Sequence, residues 1–108
     1  MKVYLAGPMT GLPALNHPAF HDAAGRLRAR GIEVVNPAEI VKDHGLAWAD
    51  CMRRDIPELV TCEAIVLLPG WEASRGARLE YTIASGLGMR CWLYDIGPDG
   101  THLLRRFR

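Results

Sequence analysis

Hydrophobic and polar residues recur along this chain with two different spacings, and the switches between them divide it into elements. "KVYLAG" (residues 2–7) is a short run rich in β-formers, ended by Gly7-Pro8. The glycine- and proline-rich loop "GPMTGLPALN" follows. Phe20, Ala23, Ala24 and Leu27 then fall at helical spacing. That spacing predicts a helix that starts near His17-Pro18, with Asn16 or His17 as cap, and that Gly31 stops. "IEVV" is a second strand, closed by Asn36-Pro37, and "PAEIVKDHG" reads as a short helical turn and loop. Residues 46–60, "LAWADCMRRDIPELV", have a helical pattern with a break or kink expected near Pro57. "EAIVLL" is a third strand, "SRGARLEYTIASGLG" a further helix ended at Gly86 or Gly88, and "RCWLYDI" a fourth strand. After the turn "GPDG", the last eight residues give no clear pattern.

The order β-α-β-α-β-α-β predicts a mostly parallel sheet of four to five strands with helices on both faces, a small flavodoxin- or Rossmann-like three-layer sandwich. At 108 residues the chain holds one domain, residues 1–108, with one core. In such sheets ligands bind beyond the carboxyl ends of the strands. Those ends supply the candidate binding residues: Tyr4, Gly7, Pro8, Met9 and Gly11 from the first, Asn36 and Pro37 from the second, and Gly70, Trp71, Ser74 and Gly76 after the third.

Charge narrows the ligand. With a formal net charge of +1, the chain has no strong field to gather nucleic acid or an acidic membrane, which speaks against both as partners. The tail "LLRRFR" reads as a solvated or interface-packed end. Cys51, Cys62 and Cys91 form no C-x-x-C pair, which points to reduced core cysteines of a cytoplasmic protein. "MKVYLAG" is too short an apolar stretch for a signal peptide, and no stretch reaches the length of a membrane span. A small sheet leaves outer helix faces to cover, so a homodimer or higher homo-oligomer is expected, with Trp48, Met52 and Tyr81 as interface candidates.

Two carboxylates stand out. Trp48, Met52, Asp55 and Leu59 share one helix face, which places Asp55 on an apolar stripe. Asp55 followed by Pro57 and Glu58 also fits a fresh helix start with a capping box, so cap and active-site residue are both open readings. Ser74 fits an N-cap that presents its hydroxyl and free N–H groups to a ligand. Gly76 lies one turn before Glu80, where a missing side chain leaves room above the carboxylate. Glu80 has no basic residue at its helical contact positions, and an inward carboxylate must be paired, protonated or useful. Glu72 is an alternative acid or a solvated loop residue. His17 and His21 lack a third metal ligand. Ser74 lacks the nucleophile elbow of the hydrolases.

At "YLAGPMTG", at Asp55 within "RRDIPELVTCEAIVLL" and at "SRGARLEYTIASGLG", the chain resembles the nucleoside 2-deoxyribosyltransferase superfamily. That superfamily includes the deoxynucleoside 5′-monophosphate N-glycosidases. "LLPGWEASRGARLE" looks closest to its small bacterial and phage members of unassigned activity. The resemblance implies cleavage of an N-glycosidic bond, or base exchange, on a (deoxy)nucleoside or its 5′-monophosphate. Glu80 would meet the anomeric carbon, Asp55 would hold a sugar hydroxyl or carry a proton, and Ser74 would help hold a 5′-phosphate. It implies no metal and no redox cofactor. The alternatives on the same fold are a non-catalytic nucleotide-binding module and an interaction domain that uses Trp48 or Trp71.

Overall fold

The computed structural model describes residues 1–40 and 46–107; the second half of the expected "PAEIVKDHG" turn lies outside them. Five strands form one sheet in the order β2-β1-β3-β4-β5. β1 (Lys2–Ala6), β2 (Glu33–Val35), β3 (Ala64–Leu67) and β4 (Arg90–Ile96) run parallel, and β5 (His102–Arg106) returns antiparallel to β4. The fifth strand comes from the unpatterned last residues, with Arg105 Nε donating to Asp95 Oδ2 at 2.7 Å across the β4–β5 pair.

The chain steps from β1 to β2 in one direction, then crosses back over β1 to β3 and on to β4. Right-handed crossovers therefore put the first helix on one face of the sheet and the later helices on the other. On the first face, α1 (His17–Arg28) packs Phe20, Ala23, Ala24 and Leu27 against Val3, Leu5 and Val66. On the other, α3 (Trp48–Leu59) and α4 (Arg75–Gly86) pack Leu59, Ala77 and Ala84 against Tyr4, Ala6, Ile65 and Leu67. The short α2 (Pro37–Ile40) lies between β2 and α3 in sequence. β3 is buried at all four positions, as a strand covered on both faces must be.

Three local expectations are corrected. α3 does not break at Pro57: the proline sits inside the helix, on its exposed side. Its missing N–H leaves the Arg53 carbonyl without a helical donor, and at exposed Arg53 water can supply one. Asp55 is consequently a mid-helix residue rather than an N-cap, buried with Met52 and Leu59 on the inward stripe. At the start of α1 neither Asn16 nor His17 caps; Asn16 has a left-handed backbone and its Nδ2 donates to the Pro8 carbonyl at 2.9 Å.

The three interface candidates also make contacts within the chain. Met52 is 9% exposed and packs beside Gly76, and Trp48 lies under the Arg75 guanidinium, 3.7 Å from its ring centroid. Tyr81 stacks with Trp71 and Phe107 at centroid distances of 5.1 and 5.7 Å.

Candidate active site

The strand order reverses between β1 and β3, which is where open parallel sheets form their ligand crevice. Side chains alternate along β1, so Val3 and Leu5 face α1 while Tyr4 and Ala6 face α3 and α4. From α3, helical spacing sends Asp55 inward between Met52 and Leu59. From α4, it sends Glu80 inward between Ala77 and Ala84. The three polar groups meet there: Tyr4 is 0%, Glu80 4% and Asp55 6% exposed.

The Tyr4 hydroxyl donates to Glu80 Oε2. Glu80 thus has a partner that helical contact positions cannot reveal, since it arrives from a strand 76 residues away. Asp55 Oδ1 is buried and makes no hydrogen bond. Burial removes the water that would stabilise each anion. It pushes the Glu80 carboxyl up to about 8; the Tyr4 hydroxyl bond works against the shift and the Asp55 charge adds to it. Burial lifts Asp55 to about 6, and Tyr4 again acts in the lowering direction. Tyr4 itself is held well above its ordinary range by burial and by the two carboxylate charges. Both carboxyls are thus shifted toward their protonated forms, Glu80 further than Asp55 because it is the more deeply buried. Two carboxyls with separated pKa values can divide acid and base work between them.

Asp55 and Glu80 floor a cleft of about 740 Å³, a volume suited to a small organic ligand. Of the residues named from sequence, Gly7, Pro8, Met9, Pro37, Asp55, Ser74, Gly76 and Glu80 line it. Ser74 Oγ caps α4 by accepting from the Ala77 N–H at 3.2 Å.

The remaining named residues have other places. Tyr4 lies beneath the floor, bonded to Glu80. Asn36 is 1% exposed; its Oδ1 accepts from the Ala38 N–H at 3.0 Å and its Nδ2 meets His21 Nδ1 at 3.2 Å. Gly70 forms a left-handed turn against Pro8, and Trp71 belongs to the aromatic group with Tyr81 and Phe107. Gly11, also left-handed, lies in the same loop as Met9 without lining the cleft.

Two glycines are explained by packing. A Cβ on Gly7 would stand 2.8 Å from Leu68 Cβ, so the close approach there is to the end of β3. The space above Gly76 is filled by Met52 and Trp48, at 3.3 and 3.4 Å from a Cβ, which lets α3 and α4 pack closely.

Sequence reasoning missed Arg75, Phe20, Cys51 and the loop residues Leu12 and Leu15, all of which line the cleft. The position of Arg75 directly after the Ser74 cap was the available signal. The exposed Glu72 is absent from the lining, and its carbonyl accepts from Arg78 Nη1 at 3.2 Å.

No curated protein matches the sequence. Among solved structures, the fold is similar to that of the CMP N-glycosidase BcmB of Clostridium botulinum. The TM-score is 0.60 over 86% of this chain and 67% of that one, at 22% sequence identity, a likeness of fold. Residues 1–92, which span β1 to the first residues of β4, match the family described as Domain of unknown function (DUF4406), and the chain belongs to that family.

Proposed function

We propose that this protein cleaves or exchanges the N-glycosidic bond of a (deoxy)nucleoside or its 5′-monophosphate, with Glu80 as the group that meets the anomeric carbon. The observation that carries the reading is the buried Tyr4–Glu80–Asp55 cluster at the floor of a ligand-sized cleft at the strand crossover. The fold likeness to a CMP N-glycosidase supports it.

Breaking this bond builds positive charge on the sugar and negative charge on the base. A carboxylate beneath the sugar stabilises the first or attacks it, and a proton donor near the base relieves the second. The unpartnered Asp55 Oδ1 suits a sugar hydroxyl or a proton in transit. The Tyr4 hydroxyl bond favours the anionic form of Glu80, and positive charge developing on the sugar would lower the Glu80 pKa further, so that its proton passes to the Asp55 carboxylate and leaves the anion a nucleophile needs. Ser74 and Arg75, at the start of α4, supply a hydroxyl and a positive charge for a 5′-phosphate. Capture of the sugar by water makes the enzyme a hydrolase; capture by a second base makes it a transferase.

One observation favours a second reading. A Glu80 carboxyl raised to about 8 is mostly protonated in the empty cleft at neutral pH, which suits a hydrogen-bond donor in a nucleotide-binding module. Incubation with nucleosides, deoxynucleosides and their monophosphates, with free base read by chromatography, separates the two. Base release that Glu80→Gln and Asp55→Asn abolish is the expected result. Tight binding with no product over long incubation would replace the enzyme reading with the binding one.

A further inference from the structure

The connection between β1 and α1 holds a run of uncommon backbone. Ala14, Leu15 and Asn16 have φ of 52°, 51° and 59°, all in the left-handed region. There a Cβ crowds the following carbonyl; asparagine visits this region readily, whereas alanine and leucine do so at a cost. The segment makes one left-handed turn. The Asn16 side chain latches it by donating from Nδ2 to the Pro8 carbonyl at 2.9 Å. Two backbone bonds support it, Leu15 N to Leu12 O at 3.0 Å and Leu12 N to Met9 O at 3.1 Å.

Core burial does not account for the turn, because Pro13 and Ala14 are exposed and Leu15 is only half-buried. Its consequence is to present Leu12 and Leu15 to the cleft, which they share with Leu46, just ahead of α3, and Trp48, its first residue. Leu12 remains 41% exposed, a large apolar side chain on a cleft wall with room for a partner. The same cleft ends below on Asp55, which is 6% exposed and has an Oδ1 without a hydrogen bond, so its floor is built for a polar ligand group. A molecule that is polar at one end and flat and apolar-faced at the other matches both.

We infer that the left-handed turn is a lip that holds Leu12 and Leu15 against the planar base of the ligand, and that Asn16 is the positioning residue that latches it. This rests on the nucleoside or nucleotide reading of the cleft. The lip contributes to recognition of the base and leaves the sugar and phosphate to the floor and the start of α4.

The test is calorimetric titration of the full chain with two probes: nucleoside 5′-monophosphates of both base classes, and ribose 5-phosphate, which lacks the base. Asn16→Ala and Leu15→Ala are each expected to weaken the monophosphates about tenfold and to leave ribose 5-phosphate within about twofold. Asn16→Gly is expected to fall between wild type and Asn16→Ala, because glycine adopts the turn but supplies no latch. Unchanged ribose 5-phosphate binding also shows that the variants are folded, and Leu15→Ala keeps the latch intact. Equal losses for both probes, or none for either, overturn the lip while leaving the proposed function standing. A wild-type protein that binds neither probe overturns both.

Discussion

Replacing Glu80 with glutamine isolates the cost of keeping a carboxyl under the sheet's crossover. Glutamine preserves the size of the side chain and an acceptor for the Tyr4 hydroxyl, and removes only the ionisation. The Glu80 carboxyl rises from an ordinary 4.5 to about 8 on folding, chiefly because burial strips it of water. A raised acid binds its proton more tightly in the folded state. Its contribution to stability is therefore complete below about pH 4.5 and is lost as pH rises through 8. Each pKa unit is worth a little over 1 kcal/mol, so between pH 5 and pH 8 wild type should lose roughly 3 to 4 kcal/mol that the variant keeps. The assay is urea unfolding of both proteins at pH 5, 6, 7 and 8, with the variant-minus-wild-type difference plotted against pH. Asp55 is present in both proteins, so its own titration largely cancels. The difference should climb steadily in favour of glutamine. Parallel curves, with a constant gap, would refute the claim that Glu80 is buried and protonated at neutral pH.

Other perturbations separate packing from chemistry. If Glu80 acts as an anion, kcat/KM for base release rises with pH toward about 8, and Tyr4→Phe moves that limb to higher pH because the lost hydroxyl bond had favoured the anion; a profile that falls over the same range would make Glu80 an acid. Gly7→Ala should destabilise by roughly 1–3 kcal/mol in urea unfolding, since its Cβ would stand 2.8 Å from Leu68 Cβ. Ser74→Ala should cost about 1 kcal/mol through loss of the α4 cap, and Ser74→Gly only a few tenths, a ranking that thermal unfolding resolves.

Much of the architecture is written locally. The alternation of apolar strands with helical patterns was enough for the layered parallel fold, because burial on a strand or helix follows from spacings of two and 3.6 residues. Glu80 and Asp55 could be singled out on the same basis, as carboxylates on apolar helix faces. Ser74 was legible as a cap from its position after Pro69-Gly70.

What only the tertiary structure decided depends on contacts between distant segments. Pro57 stays within α3 because inward packing of Met52 and Leu59 outweighs one lost hydrogen bond on the exposed side, and this turns Asp55 from a possible cap into part of the floor. β5 forms because β4 offers it an edge, which no pattern in "HLLRRFR" announces. The left-handed turn at Ala14–Asn16 is held by a bond from Asn16 back to Pro8, where residue propensity favours other conformations. The protonation of Glu80 is the clearest case. The sequence places a carboxylate on an inner face, but its charge state depends on how completely the sheet, α3 and α4 exclude water, and on Tyr4 arriving from the opposite end of the chain. Periodicity assigns a residue to a face; what that face then meets depends on the assembled packing.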